Sequence, residues 1–152
     1  MRSRVGLWKW IMTADQRQDQ IIEEYLLLPD LRERFQLIVE TAAGRGIPDH
    51  ERCEENLVPG CASRVWLSVK PCPDGRLEVS IESDSPALSG IAALYRRIYS
   101  GSTPEEILST EPRFIEALAI DRFLTPTRLR GLRRLREWMV AKTRDLTDAD
   151  AP

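Results

Sequence analysis

Apolar residues recur every three to four positions in two segments near the start of the chain, which predicts two helices. Thr13 followed by Gln16 resembles a capping box, and Asp30 is placed to cap the second segment, which Gly44 would end. Residues 45–57 are polar, acidic and without a period, so they predict a loop. The apolar positions are Ile21, Ile22, Tyr25 and Leu26, then Leu31, Phe35, Ile38, Val39 and Ala42.

The hydrophobic period becomes two after residue 57, which predicts an antiparallel hairpin. Residues 63–70 and 77–82 alternate strictly, and the segment 71–75 between them (PCPDG) has turn chemistry. Leu57 and Val58 are placed to add a short third strand. The apolar positions of the two runs are Val65, Leu67 and Val69, then Leu77, Val79 and Ile81.

Helical periodicity returns after residue 84 and continues to the end. Asp84 or Ser85 is expected to cap the first of these helices, and Thr103 opens another capping box. Thr125 followed by Pro126 begins a long helix. The order of helices, small sheet and helices predicts an α+β fold, with about three antiparallel strands packed against helices on one face.

Length and composition fit one domain of 152 residues, which we expect to cover residues 13–145. Residues 1–12 are expected to form a loosely ordered extension, and residues 146–152 a tail. We expect no membrane span, because no apolar run is long enough to cross a bilayer. The net charge of −2 does not suggest nucleic acid as a partner. The three cysteines are irregularly spaced, which favours reduced thiols in the cytoplasm over a disulfide framework.

Cys61 is the candidate for chemistry, because it directly follows the Pro59-Gly60 turn and precedes a strand. A thiolate is a nucleophile, and a guanidinium nearby lowers the pKa of its thiol. Arg64 is close in sequence, and Arg128 is a candidate for closeness in space. A buried, inert cysteine is the alternative at this point.

Residues 58–67 have the sequence VPGCASRVWL, which resembles the V-x-G-C-x-S-x-V-W-L signature of the SufE family. Further resemblances follow in order: Ser83-Asp84-Ser85 with a helix through Gly90, residues 99–108, and residues 124–132, where Thr127 replaces the usual serine. The resemblance covers about residues 16–143, and the first dozen residues lie outside it.

The resemblance implies a sulfur acceptor of iron–sulfur cluster assembly, with Cys61 taking a persulfide from a cysteine desulfurase of the SufS type. The pyridoxal phosphate belongs to that partner, so the chain would have no cofactor of its own, and a downstream scaffold would receive the sulfur. Such a protein is a stoichiometric carrier rather than a conventional enzyme, and it could be a monomer or a homodimer. The family's cysteine loop tucks under the sheet at rest and swings out to the partner.

Five further residues are candidates for supporting roles by the same resemblance. Arg128 would favour the Cys61 thiolate or face the partner, and Trp66 would cover the cysteine loop or pack under a helix. Asp84 would gate or cap, whereas Gly60 and Ser63 would shape the loop.

A metal or cluster scaffold is the main alternative, because the chain holds a Cys₃His set: His50, Cys53, Cys61 and Cys72. His50 lies three residues before Cys53, but zinc ligands usually come as close pairs, and Cys61 and Cys72 do not form a second one. The hairpin should also separate Cys61 from Cys72 by about 25–30 Å at the rise of a strand.

A nucleic-acid or anionic-partner module is the second alternative, because cations crowd the last helix. A single aromatic residue, Trp138, lies among them to stack bases, which weakens the nucleic-acid version. The cations are Arg128, Arg130, Arg133, Arg134, Arg136, Lys142 and Arg144.

Overall fold

The computed structural model describes residues 11–41 and 47–149, and within these ranges it confirms the predicted α+β class. Helices come before and after a small antiparallel sheet. The helices are α1 (Ala14–Leu26), α2 (Leu31–Glu40), α3 (Pro86–Tyr99), α4 (Pro104–Ser109), α5 (Phe114–Ala117) and α6 (Pro126–Ala149). The strands are β1 (Val65–Pro71) and β2 (Leu77–Ser83), and short 3-10 turns occupy Asp49–Glu51, Glu54–Asn56 and Ile120–Phe123.

Helix starts follow the predicted capping chemistry. Thr13 Oγ1 accepts from the Gln16 N–H at 3.2 Å, and the Gln16 side chain accepts from the Thr13 N–H at 3.0 Å. Asp30 caps α2 through two backbone N–H groups. Ser85, one of the two predicted residues, caps α3. The helix end expected at Gly44 and the extension up to residue 10 lie outside the described residues.

The sheet has two strands where about three were predicted. Val65 lies opposite Ser83, and Pro71 lies opposite Leu77. The expected third strand is reduced to one bridge between Leu57 and Trp66, next to a hydrogen bond from the Val58 N–H to the Val65 carbonyl at 2.8 Å. Pairing stops there because the chain turns at Pro59 and Gly60, directly after this bond.

Both faces of the hairpin are covered. Leu67, Val79 and Ile81 point into the main core, against which α3 packs. Segment 47–57 covers the opposite face: the Arg52 guanidinium lies 4.7 Å from the Trp66 ring centre, and Glu51 forms an ion pair with Lys70. The predicted loop at 45–57 is therefore, from residue 47 onward, a packed cover with two 3-10 turns.

Buried arginines tie the helices together by binding backbone carbonyls. Arg17 Nε donates to the Ile98 carbonyl at 2.9 Å, and Arg136 Nη1 donates to the Ile107 carbonyl at 2.8 Å. Ile98 and Ile107 lie near the ends of α3 and α4, where helix carbonyls lack intrahelical partners. These two contacts hold α1 and α6 to the centre of the molecule.

The last helix extends four residues beyond residue 145, into the segment expected to be a tail. Leu146 packs against the core there. No helix within the described ranges is both long and apolar enough to span a bilayer.

Candidate functional site

Cys61 lies on the short loop between the Leu57 bridge and β1, and this cysteine loop (residues 59–64) is fixed at both ends. At the first end the Val58 N–H donates to the Val65 carbonyl at 2.8 Å. At the other end Asp84 Oδ1 accepts from the Arg64 N–H at 3.1 Å, and the Asp84 N–H donates to the Arg64 carbonyl at 3.2 Å. The residues between these anchors are presented to α6.

Gly60 turns the chain immediately before the cysteine. Its φ of +79° lies in the left-handed region, which glycine adopts without the steric cost of a side chain. The Arg134 side chain of α6 lies alongside: a Cβ built on Gly60 would be 3.5 Å from Arg134 Nε. The turn therefore brings the loop against the middle of α6.

The Cys61 thiol rests on Gly131, a glycine inside α6. The thiol is half-buried, and its S–H donates weakly to the Gly131 carbonyl at 3.7 Å. A Cβ built on Gly131 would lie 3.6 Å from Cys61 Sγ, an ordinary contact distance, so the sulfur lies directly beside this position of the helix. Cys61 packs against the edge of the hydrophobic core in this position.

Two opposing effects set the acidity of the Cys61 thiol. Burial raises its pKa above the ordinary value for cysteine, because a thiolate loses hydration there, and the Arg134 charge partly offsets this. The resting thiol is therefore protonated and sheltered near neutral pH. Moving the loop into water would remove the desolvation and make the sulfur a better nucleophile.

Comparison with known families places this geometry in context. A family model for SufE, described as an Fe-S metabolism associated domain, matches residues 19–143. The chain belongs to the SufE family. The SufE match spans the hairpin, the cysteine loop and α6 as far as Thr143, so the chain belongs to a family associated with iron–sulfur metabolism.

A solved structure supports the fold. The solution structure of a hypothetical protein from Thermus thermophilus superposes with a TM-score of 0.69 at 26% sequence identity. The match covers 85% of this chain and 94% of that chain. The two proteins therefore share the architecture described above over most of their lengths.

The predicted supporting residues of this SufE chain lie in different surroundings. Asp84 binds the backbone at one end of the cysteine loop, and Ser63 is half-buried within it. Trp66 is 6% exposed, and its ring lies under the Arg52 guanidinium. Arg128 is half-buried in the first turn of α6, where its N–H donates to Thr125 Oγ1 at 3.2 Å. Gly60 shapes the loop through its positive φ, as described above.

Gly131 and Arg134 are the site residues that sequence reasoning missed. A glycine inside a helix costs about 1 kcal/mol relative to alanine, so Gly131 was a sign of a close packing contact. Arg134 lies three positions further along α6, which places it on the same side of the helix as Gly131. Arg134 supplies the positive charge that lowers the Cys61 pKa, the effect for which the sequence suggested Arg64 or Arg128.

The residues of the alternative metal site do not come together. Among the described residues, no three His, Cys, Asp or Glu side chains are grouped closely enough to hold a metal ion. Cys72 lies in the hairpin turn, where its N–H donates to the Arg76 carbonyl at 2.8 Å, and His50 is exposed in a 3-10 turn.

Two of the seven cations on the last helix point inward and do not contribute to a basic surface. Arg136 is 8% exposed and binds the end of α4. Lys142 Nζ donates to the Leu67 carbonyl at 2.8 Å and to Asn56 Oδ1 at 3.0 Å. The basic character of α6 is thus partly structural.

Proposed function

We propose that this SufE-family protein is a sulfur acceptor that carries a persulfide on Cys61 from a cysteine desulfurase towards iron–sulfur cluster assembly. The observation that carries the proposal is the position of Cys61: a half-buried thiol at the centre of a short loop that is fixed at both ends. Contacts of Gly60 and Cys61 with α6 hold the middle of that loop.

The chemistry is a thiol–persulfide exchange. The Cys61 thiolate attacks the terminal sulfur of a persulfide on the partner's cysteine, and a new S–S bond forms on Cys61. The old S–S bond breaks, and the partner's cysteine leaves as a thiolate. Atoms and electrons balance without an external oxidant or reductant. The protein needs no cofactor for this step, and pyridoxal phosphate acts in the partner, where the sulfur is first released from free cysteine.

A sheltered acceptor suits this task. A protonated thiol in contact with Gly131 reacts slowly with solutes, because the thiolate is the nucleophile. Docking of the desulfurase would draw the loop outward and relieve the desolvation, so that reactivity appears only in the complex. Reduced thiols are required throughout, which fits the cytoplasm.

The test is the intact mass of the reduced protein after incubation with a cysteine desulfurase and free cysteine. We expect the mass of one added sulfur, located on Cys61 by peptide mapping and absent in Cys61→Ser. Cys53→Ser and Cys72→Ser serve as matched controls, because both thiols are partly exposed and lie outside the cysteine loop.

The outcomes separate clearly. Sulfur on Cys61 in the wild type and in both control variants would support the acceptor role. Sulfur on Cys53 or Cys72 with Cys61 unmodified would overturn it, as would full stimulation of the desulfurase by a folded Cys61→Ser protein.

A further inference from the structure

Arg134 is a cation beside the cysteine loop, and no acidic side chain among residues 11–41 and 47–149 forms a salt bridge with it. It is exposed on α6. Arg136 and Lys142 on the same helix, by contrast, bind backbone carbonyls. An unpaired guanidinium keeps its donors available for an anion that arrives or forms nearby.

Arg134 lies next to the cysteine loop, whereas the adjacent Arg133 does not. Gly131 and Arg134 are separated by one turn of α6, and they contact successive residues of the loop: Gly131 contacts Cys61, and Arg134 lies beside Gly60. The neighbouring Arg133 is directed elsewhere, since it lines a surface cavity of about 590 Å³ together with Leu129 and Glu137. Two adjacent arginines of α6 therefore face different surroundings.

We propose that Arg134 is the positioning residue that stabilises the anionic forms of Cys61 while the loop rests on α6. For the thiolate, the proposal rests on the position of the Arg134 side chain beside Gly60, the residue that precedes Cys61. Its extension to the persulfide anion rests on the proposed function. In both forms the negative charge lies on or next to Sγ, because a terminal sulfur is only about 2 Å further along the S–S bond.

The charged groups around the thiol are few. Arg134 lies on α6 beside Gly60, and its charge lowers the Cys61 pKa against the larger effect of burial. Arg64 and Asp84 meet at the far end of the loop, where Asp84 binds the Arg64 backbone. Burial without Arg134 would disfavour any anion on Cys61, so the loop would have to leave α6 before the sulfur could carry charge.

The consequence is a resting site that tolerates two charge states. The neutral thiol is held by its contacts with Gly131 and the core edge, and the anion is held by Arg134. A persulfide carrier benefits from this arrangement, because the loaded anion can return to the sheltered position between partners. Loss of Arg134 would leave the unloaded loop in place and would penalise the charged state.

The experiment measures the rate of alkylation of Cys61 by iodoacetamide as a function of pH, followed on the Cys61 peptide by mass spectrometry. In Arg134→Ala the profile should move to higher pH, and the rate near neutral pH should fall about three- to tenfold, since one pKa unit is a tenfold change in thiolate. Arg134→Lys should recover most of the rate. Arg133→Ala, which removes the same charge from the adjacent position, should match the wild type.

Salt provides a second measurement on the native protein. Raising the ionic strength to about 1 M shortens the screening length to about 3 Å, so the wild-type profile should shift towards that of Arg134→Ala, and the variant should respond less. A packing role for Arg134 would not produce this difference. Superimposable profiles for the wild type and Arg134→Ala would overturn the proposal, and so would equal shifts in Arg133→Ala.

Neither the alkylation profile nor its salt dependence needs a desulfurase, so failure of the two proposals can be told apart. A protein that never accepts sulfur but shows the Arg134-dependent shift would retain this inference and lose the proposed function. A protein that accepts sulfur on Cys61, but whose alkylation profile does not change in Arg134→Ala, would retain the proposed function and lose this inference.

The persulfide form has its own test. Arg134→Ala loaded by a desulfurase should lose its added sulfur to free thiols faster than the loaded wild type. Equal rates would limit the role of Arg134 to the thiolate.

Discussion

Two glycines create the surroundings of Cys61. Gly60 provides the left-handed turn that points the loop at α6, and Gly131 is the position of α6 that the sulfur contacts. Gly60 was recognisable from the sequence, because a Pro-Gly pair before a strand has few other uses. Arg134 was not recognisable, because seven cations crowd one helix and the sequence alone does not say which of them meets the loop.

Substitutions of Gly131 should separate helix stability from access to the thiol. In Gly131→Ala the new Cβ lies at an ordinary contact distance of 3.6 Å from Cys61 Sγ, so the free energy of unfolding should rise by up to about 1 kcal/mol from helix propensity. Cys61 should remain slow to alkylate. Gly131→Leu should push the sulfur outward and speed its alkylation severalfold. Thermal unfolding and iodoacetamide rates test both, and fast alkylation of Gly131→Ala would contradict the proposed contact.

The raised pKa of Cys61 also predicts a pH dependence of stability. A group whose pKa is higher in the folded state stabilises the fold below its unfolded pKa, and that stabilisation is lost as pH rises through the folded value. The free energy of unfolding of the wild type should therefore fall more steeply than that of Cys61→Ser once the pH rises above the ordinary cysteine pKa of about 8.5. Urea unfolding at a series of pH values measures the difference. Parallel curves for the two proteins would mean that burial does not disfavour the thiolate.

At the level of elements, the helix caps and the hairpin could be predicted because their causes are local. Thr13, Asp30 and Thr103 each cap the helix that follows, and the alternation in β1 and β2 produced the pairing expected. The cover formed by residues 47–57 could not be predicted, because it depends on contacts between distant elements. The contacts of Arg52 with Trp66 and of Glu51 with Lys70 join β1 to a segment whose own residues show no period.

Gly90 shows a similar long-range dependence in the packing of α2 on α3. A Cβ at this position would lie 2.4 Å from the Ile38 carbonyl oxygen, a backbone atom that cannot rotate away. Gly90→Ala should lower the free energy of unfolding by about 1–3 kcal/mol despite the better helix propensity of alanine. The melting temperature should fall by several degrees. Ser89→Ala, one position earlier in the same helix, is the control and should be close to neutral; equal stability of the two variants would contradict the close helix approach.

In the whole molecule, α6 connects the functional loop to the rest of the fold. Its first half carries Gly131 and Arg134 next to the cysteine loop, and its second half reaches the free edge of β1 through Lys142. Exposed strand edges are prone to pairing with other chains, and a lysine on a strand carbonyl is one way to block them. The same helix therefore positions the thiol and protects the small sheet, whose two strands would be only marginally stable alone.

Lys142 should accordingly contribute to the stability of the molecule as a unit. Lys142→Met keeps much of the aliphatic length but leaves the Leu67 carbonyl and Asn56 Oδ1 without the donor that now lies 2.8 and 3.0 Å away. Loss of these contacts should cost about 1–3 kcal/mol in the free energy of unfolding, because the strand carbonyl is partly shielded from water. Arg144→Met removes an exposed cation two positions later and should change stability by less than about 0.5 kcal/mol.

Urea unfolding of the two variants compares their stabilities, and hydrogen exchange of the β1 amides shows where stability is lost. Faster exchange in β1 and in segment 47–57 together would show that α6, the strand edge and the cover unfold as one unit, whereas a loss confined to the end of α6 would contradict the role given to Lys142.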